Sequence, residues 1–416
     1  MTLDTIRMDG FWGALLAAES VRGCGAVLHG PGGCRSMLDG ESSRFIIRRF
    51  AIDEGPFYFN QPRIPCTYLD EEDYINGADY KLSDLLSTMS EEVAFVVQSP
   101  GTSLIGDYIN GAAHRSNFQG TVIVQKENHM SEPFHIGYDA ATSELVDRLC
   151  VQKDRKTSKV IVLGIPISMD GWEETVSELD SYIAAMELEA VFVGSGCSVQ
   201  DIVNSGDASI CITVLPEYCT RTSEAYLRHG IPTINGGIPI GFDGTSRWIE
   251  NLAKAVGADP DRALEILNRS SERASTILRS AMTSGLAMRC ATYSMDLDSI
   301  ATLPLAKWLY EYLAMFPEEI AVMPWWDKDY LDEFKEFLTG IRSESALVDG
   351  LTPKRCDVMF AGGQSAALMR KNDVCSVDIA VLGPSTHLLR FVGRPFLGAK
   401  GAMLMLDRMF ELRERD

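Results

Sequence analysis

Residues 22 to 34, RGCGAVLHGPGGC, constrain this chain more than any other stretch. Ala26, Val27 and Leu28 read as a short buried strand, entered through Gly23 and Gly25. The strand runs out into a loop of Gly30, Pro31, Gly32 and Gly33, and the loop ends on Cys34. Open α/β sheets place their ligands at the carboxyl ends of parallel strands, so this pattern predicts a binding site in such a sheet. Glycines let the backbone approach a bulky or charged ligand, and successive N–H groups there can line an anion-binding nest. Cys34 adds a soft thiolate, which phosphate does not require and an iron–sulfur cluster does.

The elements that follow fit that sheet. Residues 11–22 read as a mostly buried helix that delivers the chain to the glycine loop. From residue 81 onward, helices such as KLSDLLSTMSEE alternate with strands such as VAFVVQ and TVIVQ, which implies a parallel, doubly wound sheet. The polar run VQKDRKTSK, 151–159, is the clearest linker, and a second alternating unit follows it. A long amphipathic helix over 259–285 bridges to a third unit containing the strands MRCATYSM, EEIAVMPWW, DVMFAGG and SVDIAVL. The predicted fold is α/β: three Rossmann-like, doubly wound parallel-sheet domains around a central cleft. Their expected bounds are 1–150, 151–258 and 259–416, the last with the bridging helix and a C-terminal helix.

Composition narrows the function. A chain of 416 residues fits about three domains. A net charge of −20 argues against nucleic acid or an anionic membrane as partner. No apolar run reaches membrane-spanning length, and MTLDTIRMDG lacks the pattern of a signal peptide, so a cytoplasmic location is expected. The ten cysteines are scattered with no CxxC pair, which rules out zinc-ribbon spacing and argues against a disulfide framework.

Five stretches together resemble the nitrogenase component 1 superfamily. They are HGPGGC (29–34), PCTYLDEEDYINGADYKL (65–82), SLIGDYI (103–109), GIPTINGGIPIGFDGTSRWIENL (230–252) and VGRPFLGAKGAMLML (392–406). The superfamily takes in nitrogenase subunits, cofactor-assembly scaffolds, and the reductases of protochlorophyllide, chlorophyllide and nickel-sirohydrochlorin diamide. The resemblance implies pairing with a second copy or a homologous sister subunit. It also implies an iron–sulfur cluster, of 4Fe–4S type, shared between the paired subunits. A separate ATP-binding iron–sulfur reductase would supply the electrons, and a small molecule or tetrapyrrole would receive them. The absence of a GxxxxGK[ST] loop agrees with ATP hydrolysis elsewhere.

Of the three ligand positions the resemblance implies, only Cys34 keeps its cysteine; Asp9 and Pro100 stand at the others. Cys24 and Cys34 flank the strand, roughly 20 Å apart at ~3.3 Å per residue, so they do not share a cluster. Cys66 lies in a loop expected to open on the same sheet edge as Cys34. The expected metal set is therefore Cys34, Cys66 and Asp9, with Gly30, Gly32, Gly33 and His29 shaping the site. For His29 an orienting hydrogen bond is favoured over ligation.

At the family's second cofactor site the cysteine position falls on Leu215 or Pro216. Cys219 follows at a helix start, a place that lowers a thiol's pKa. The histidine position falls on Leu388, next to His387. Candidates for work in the cleft are Glu217, Asp243, Arg247, Arg390 and His387, though Asp243 and Arg247 also suit a helix-terminal ion pair. Trp308, Trp325 and Trp326 read as core. Three readings remain: an electron-relaying reductase subunit, a non-catalytic scaffold for assembling a metallocluster or tetrapyrrole, and a cluster-less relative that binds a small molecule.

Overall fold

The structure, a computed structural model, describes residues 8–34, 64–154, 157–283, 288–380 and 392–413. The first unit begins with helix α1 (Gly10–Glu19), started by Asp9, whose side chain accepts from the Trp12 N–H. Strand β1 (Cys24–His29) follows, buried at every position. Next come helices α2 (Asp73–Asn76) and α3 (Asp79–Ser87), strand β2 (Val93–Gln98), helices α4 (Pro100–Ile105) and α5 (Ile109–Arg115), strand β3 (Thr121–Val124) and helix α6 (Phe134–Leu149). The strands pair in parallel in the order β1-β2-β3. Residues 65–69 run along the free edge of β1, through parallel bridges Leu28 to Cys66 and Pro31 to Leu69. The chain thus lies first on one side of β1 and then, as β2, on the other. That reversal is the position where such sheets bind ligands, and it sits where the glycine loop leaves β1.

Helix α1 crosses α6 with its backbone in contact. A Cβ on Gly13 would stand 2.1 Å from the Phe134 carbonyl oxygen, and one on Gly137 would stand 1.8 Å from that of Gly10. Only glycine permits this approach, which explains a nearly all-buried α1.

The second unit runs β4 (Lys159–Leu163), α7 (Trp172–Ala185), β5 (Glu189–Val193), α8 (Val199–Asn204), β6 (Ile210–Thr213), α9 (Thr220–Arg228), β7 (Thr233–Ile234) and α10 (Gly241–Val256). Helix α11 (Asp261–Thr283) leads to the third. There β8 (Thr292–Asp296), α12 (Thr302–Leu313), β9 (Phe316–Ala321), α13 (Lys328–Gly340), β10 (Leu347–Val348), β11 (Cys356–Ala361), α14 (Gly363–Lys371) and β12 (Cys375–Ala380) precede α15 (Gly398–Arg413). The sheet orders are β5-β4-β6-β7 and β10-β9-β8-β11-β12, again parallel. Each has its own reversal, between β4 and β6 and between β8 and β11. Strands such as VAFVVQ and KVIVL are apolar and buried along nearly their whole length, as parallel strands covered on both faces are.

Buried carboxylates join the units. Asp139 on α6 accepts from the backbone N–H groups of Arg221 (2.7 Å) and Thr222 (2.9 Å), at the start of α9. Glu178 on α7 accepts from Ala399 N (2.9 Å) and Lys400 N (3.2 Å), at the start of α15. Helix starts carry N–H groups without intrahelical partners, and a carboxylate satisfies them.

Strand β4 stops at Leu163, because Gly164 has φ +88° and packs against the Leu215 backbone. After β2 the chain is helical from Pro100, with Ser99 as the cap.

Candidate functional site

The glycine loop is held from behind by one buried histidine. His29, the last residue of β1, has no exposed surface, and both its ring nitrogens are engaged. Nε2 lies 2.9 Å from Asp107 Oδ2, and Nδ1 lies 3.1 Å from Thr67 Oγ1. Thr67 Oγ1 also accepts the Gly30 N–H at 3.0 Å, and the other Asp107 oxygen accepts Ala78 N at 2.9 Å. Burial lowers the His29 pKa despite the raising effect of Asp107. A neutral ring satisfies every group: Nε2–H donates to the carboxylate, and Nδ1 accepts the Thr67 hydroxyl. His29 therefore ties together three segments, the end of β1, residues 65–69 and the α4–α5 turn. Both ring nitrogens are taken up by these bonds.

Cysteines sit on both sides of this strut. Cys66 donates its thiol to the Gly30 carbonyl at 3.3 Å. Cys34 is half-buried at the loop's end, where burial raises its thiol pKa. A Cβ on Gly30 would meet Ser99 Cβ at 2.9 Å, so glycine there is dictated by the neighbouring strand. A Cβ on Gly32 would meet the Tyr68 ring at 3.1 Å. Gly33 is exposed, and no described residue lies within 4 Å of the place a Cβ would take.

Asp9 caps α1 and is occupied on both oxygens. Oδ1 accepts Trp12 N at 3.4 Å, and Oδ2 accepts Ser131 N at 3.1 Å. Pro100 is the first residue of α4. Among the described residues, no group of three or more His, Cys, Asp or Glu side chains is arranged to hold a metal ion.

The segments after the loop carry a rim of exposed large side chains, of which Tyr68 lies against Gly32. Ile75 (81% exposed) and Leu104 (88%) project from α2 and α4, and Tyr68, Tyr74, Tyr80 and Tyr108 are exposed beside them. The available signal was the recurrence of tyrosines through otherwise polar segments between residues 68 and 108.

The remaining described candidates lie on other elements. Glu217 follows β6 and meets the turn after β8, accepting from Ser299 Oγ and Ile300 N. Asp243 and Arg247 are exposed on α10. His387 and Arg390, with Leu388, lie outside the described residues. Cys219 departs from expectation. It is 1% exposed, donates to the Leu215 carbonyl, and burial pushes its pKa well up rather than down. Trp308 and Trp326 are buried, but Trp325 is half-buried: its ring lies 4.2 Å from that of His135, and its Nε1 donates to Asp298 Oδ1 at 2.7 Å.

The family model "Nitrogenase component 1 type Oxidoreductase" matches residues 10–413, nearly the whole chain. The chain belongs to this family. It is 25% identical over 311 residues to the light-independent protochlorophyllide reductase subunit N of Rhodopseudomonas palustris strain TIE-1, covering 71% of this chain and 68% of that protein. The same subunit from strain ATCC BAA-98 / CGA009 matches to the same extent. Among solved structures, "Nitrogenase Cp1 at pH 6.5" superposes with a TM-score of 0.79 at 14% identity, covering 100% of this chain and 96% of that one. "Nitrogenase Cp1 at pH 5" gives a TM-score of 0.69 at 16% identity, over 99% and 90%. These likenesses establish the nitrogenase component 1 fold. No described helix is long and apolar enough to cross a membrane.

Proposed function

We propose that this oxidoreductase-family chain is one subunit of a two-component reductase, and that its glycine loop contributes Cys34 to an iron–sulfur cluster shared with a second copy or sister subunit. The supporting observation is the half-buried Cys34 thiol beside an exposed Gly33, with a rim of exposed tyrosines, Ile75 and Leu104 on the segments that follow. Apolar rims of this kind mark protein contact surfaces. A thiol at such a boundary suits a site completed from the other side.

The donor set fits half of such a site. Cys34 would hold metal directly. Cys66 would join by giving up its hydrogen bond to the Gly30 carbonyl, and Asp9 only by giving up the Trp12 or Ser131 N–H. A bound iron–sulfur cluster supplies one-electron transfer at low potential, and 4Fe–4S is the type proposed. This chain's own residues position. His29, neutral between Thr67 and Asp107, fixes where the loop leaves β1, and the rim excludes water once covered. Electrons would come from an ATP-binding iron–sulfur partner, and the acceptor would be a small molecule or tetrapyrrole between the sheet units.

Charge placed on the rim tests the pairing. Leu104→Glu with Ile75→Glu should halve the particle mass seen by light scattering after anaerobic purification and reduce bound iron with it. A double variant that keeps both the assembled mass and the iron of wild type would remove the rim from the account.

A further inference from the structure

Among the described residues, the carboxylates of Asp139, Glu178 and Glu217 reach from one sheet unit to the start of a helix elsewhere, and that of Glu217 is incompletely satisfied. Asp139 uses both oxygens: Oδ1 accepts from Thr222 N and Oγ1, and Oδ2 from Arg221 N. Glu178 does the same, with Oε1 accepting from Tyr182, Ala399 and Lys400 and Oε2 from Lys400. Glu217 reaches the third unit through Oε1, which takes the Ser299 hydroxyl and Ile300 N at the entrance to α12. Among the described residues, its Oε2 is buried without a hydrogen-bond partner. A buried carboxylate oxygen without a donor is costly while ionised and tolerable once it carries a proton.

We propose that Glu217 is a proton-operated clasp between the β6–α9 and β8–α12 connections. With a proton on Oε2 it holds the Ser299–Ile300 turn against the second unit; on losing that proton it releases the turn.

The surroundings support this. Asp298 faces Glu217 from the same turn of the third unit and disfavours a second negative charge. From α13 comes Tyr330, whose hydroxyl donates to the Ile300 carbonyl at 2.8 Å and accepts Leu303 N at 3.0 Å. Tyr218 and Cys219 adjoin it on its own connection, both held neutral by burial. His135, from α6, packs its ring against Trp325 (4.2 Å) and Tyr218 (5.9 Å); burial lowers its pKa to about 4 although Asp298 raises it, so it brings no positive charge near neutrality. Burial raises the Glu217 carboxyl to about 7; bonds from Ser299, its own backbone N–H and Ile300 oppose this, and Asp298 adds to it. Both connections follow strands at sheet reversals, β6 and β8, so the clasp governs how the second and third units close on one another. It stands whether or not the glycine loop binds a cluster.

Hydrogen exchange of the full-length protein, read by mass spectrometry from pH 5.5 to 8.5 and corrected for the intrinsic rate, tests it. Peptides spanning 297–303 should lose protection by about tenfold or more across that range, with a midpoint near the Glu217 pKa of about 7, while β2 peptides stay unchanged. Glu217→Gln keeps the accepting oxygen and cannot titrate, so its 297–303 protection should be flat. Asp298→Asn provides an independent arm: removing the neighbouring anion should move the wild-type midpoint down. A wild-type profile without pH dependence, the same fall in Glu217→Gln, or an unmoved midpoint in Asp298→Asn would overturn the clasp.

Discussion

Replacing Thr67 with valine strips one oxygen from the strut behind the glycine loop and leaves its shape. Thr67 Oγ1 accepts the Gly30 N–H at 3.0 Å and lies 3.1 Å from His29 Nδ1. Thr67→Val leaves that N–H without its acceptor and the ring nitrogen without its donor, on residues that are both buried. An unpaired buried polar group costs about 1–3 kcal/mol, so two of them, after local relaxation, should cost about 2–4 kcal/mol. The lower figure corresponds to about a thirtyfold change in an opening equilibrium. Hydrogen exchange of a peptide covering 26–34 should accelerate by at least that factor, and Thr67→Ser, which keeps the hydroxyl, should restore most of the protection. Valine exchanging like wild type would refute the strut. Serine exchanging like valine would show that the methyl group, not the oxygen, does the work.

Two further outcomes follow from the same geometry. Gly30→Ala should destabilise by about 1–3 kcal/mol through overpacking against Ser99, whereas Gly33→Ala, with no described residue within 4 Å of the new Cβ, should melt like wild type; equal effects would remove the packing argument. Glu217 should also make global stability depend on pH. Its folded pKa lies above the unfolded value, so the folded state binds more protons between about 4.5 and 7. Stability should fall through that window by up to about 3 kcal/mol and level off above it. Urea unfolding of wild type and Glu217→Gln should therefore converge at low pH and differ most above pH 7, the variant being the more stable; parallel profiles would contradict this.

How far the sequence carries depends on whether a feature is local. The glycine loop, the buried strands and the long amphipathic α11 were legible because each is written in neighbouring residues: alternating apolar runs, or apolar positions at three- and four-residue steps. Reading the family required five short motifs in order, and the match over residues 10–413 bears that out. Contacts between distant segments left no such mark. Nothing in SLIGDYI says that Asp107 meets His29, and nothing around Pro216 says that Glu217 caps a turn 82 residues away. Cys219 misled for the same reason. Its place before a helix was readable, but the burial that outweighs the helix start depends on residues remote in the chain. Trp325 was read as core, and only its contacts with His135 and Asp298 place it at the meeting of the units.

The most direct test of the proposed function is iron and acid-labile sulfide per chain after anaerobic purification with the partner subunit, for wild type and Cys34→Ser. The account predicts stoichiometric iron and sulfide in wild type and a clear loss of both in the variant, with the fold intact by circular dichroism. Wild-type protein that stays free of iron after reconstitution, or a variant that keeps its full complement, would contradict a cluster held at the glycine loop.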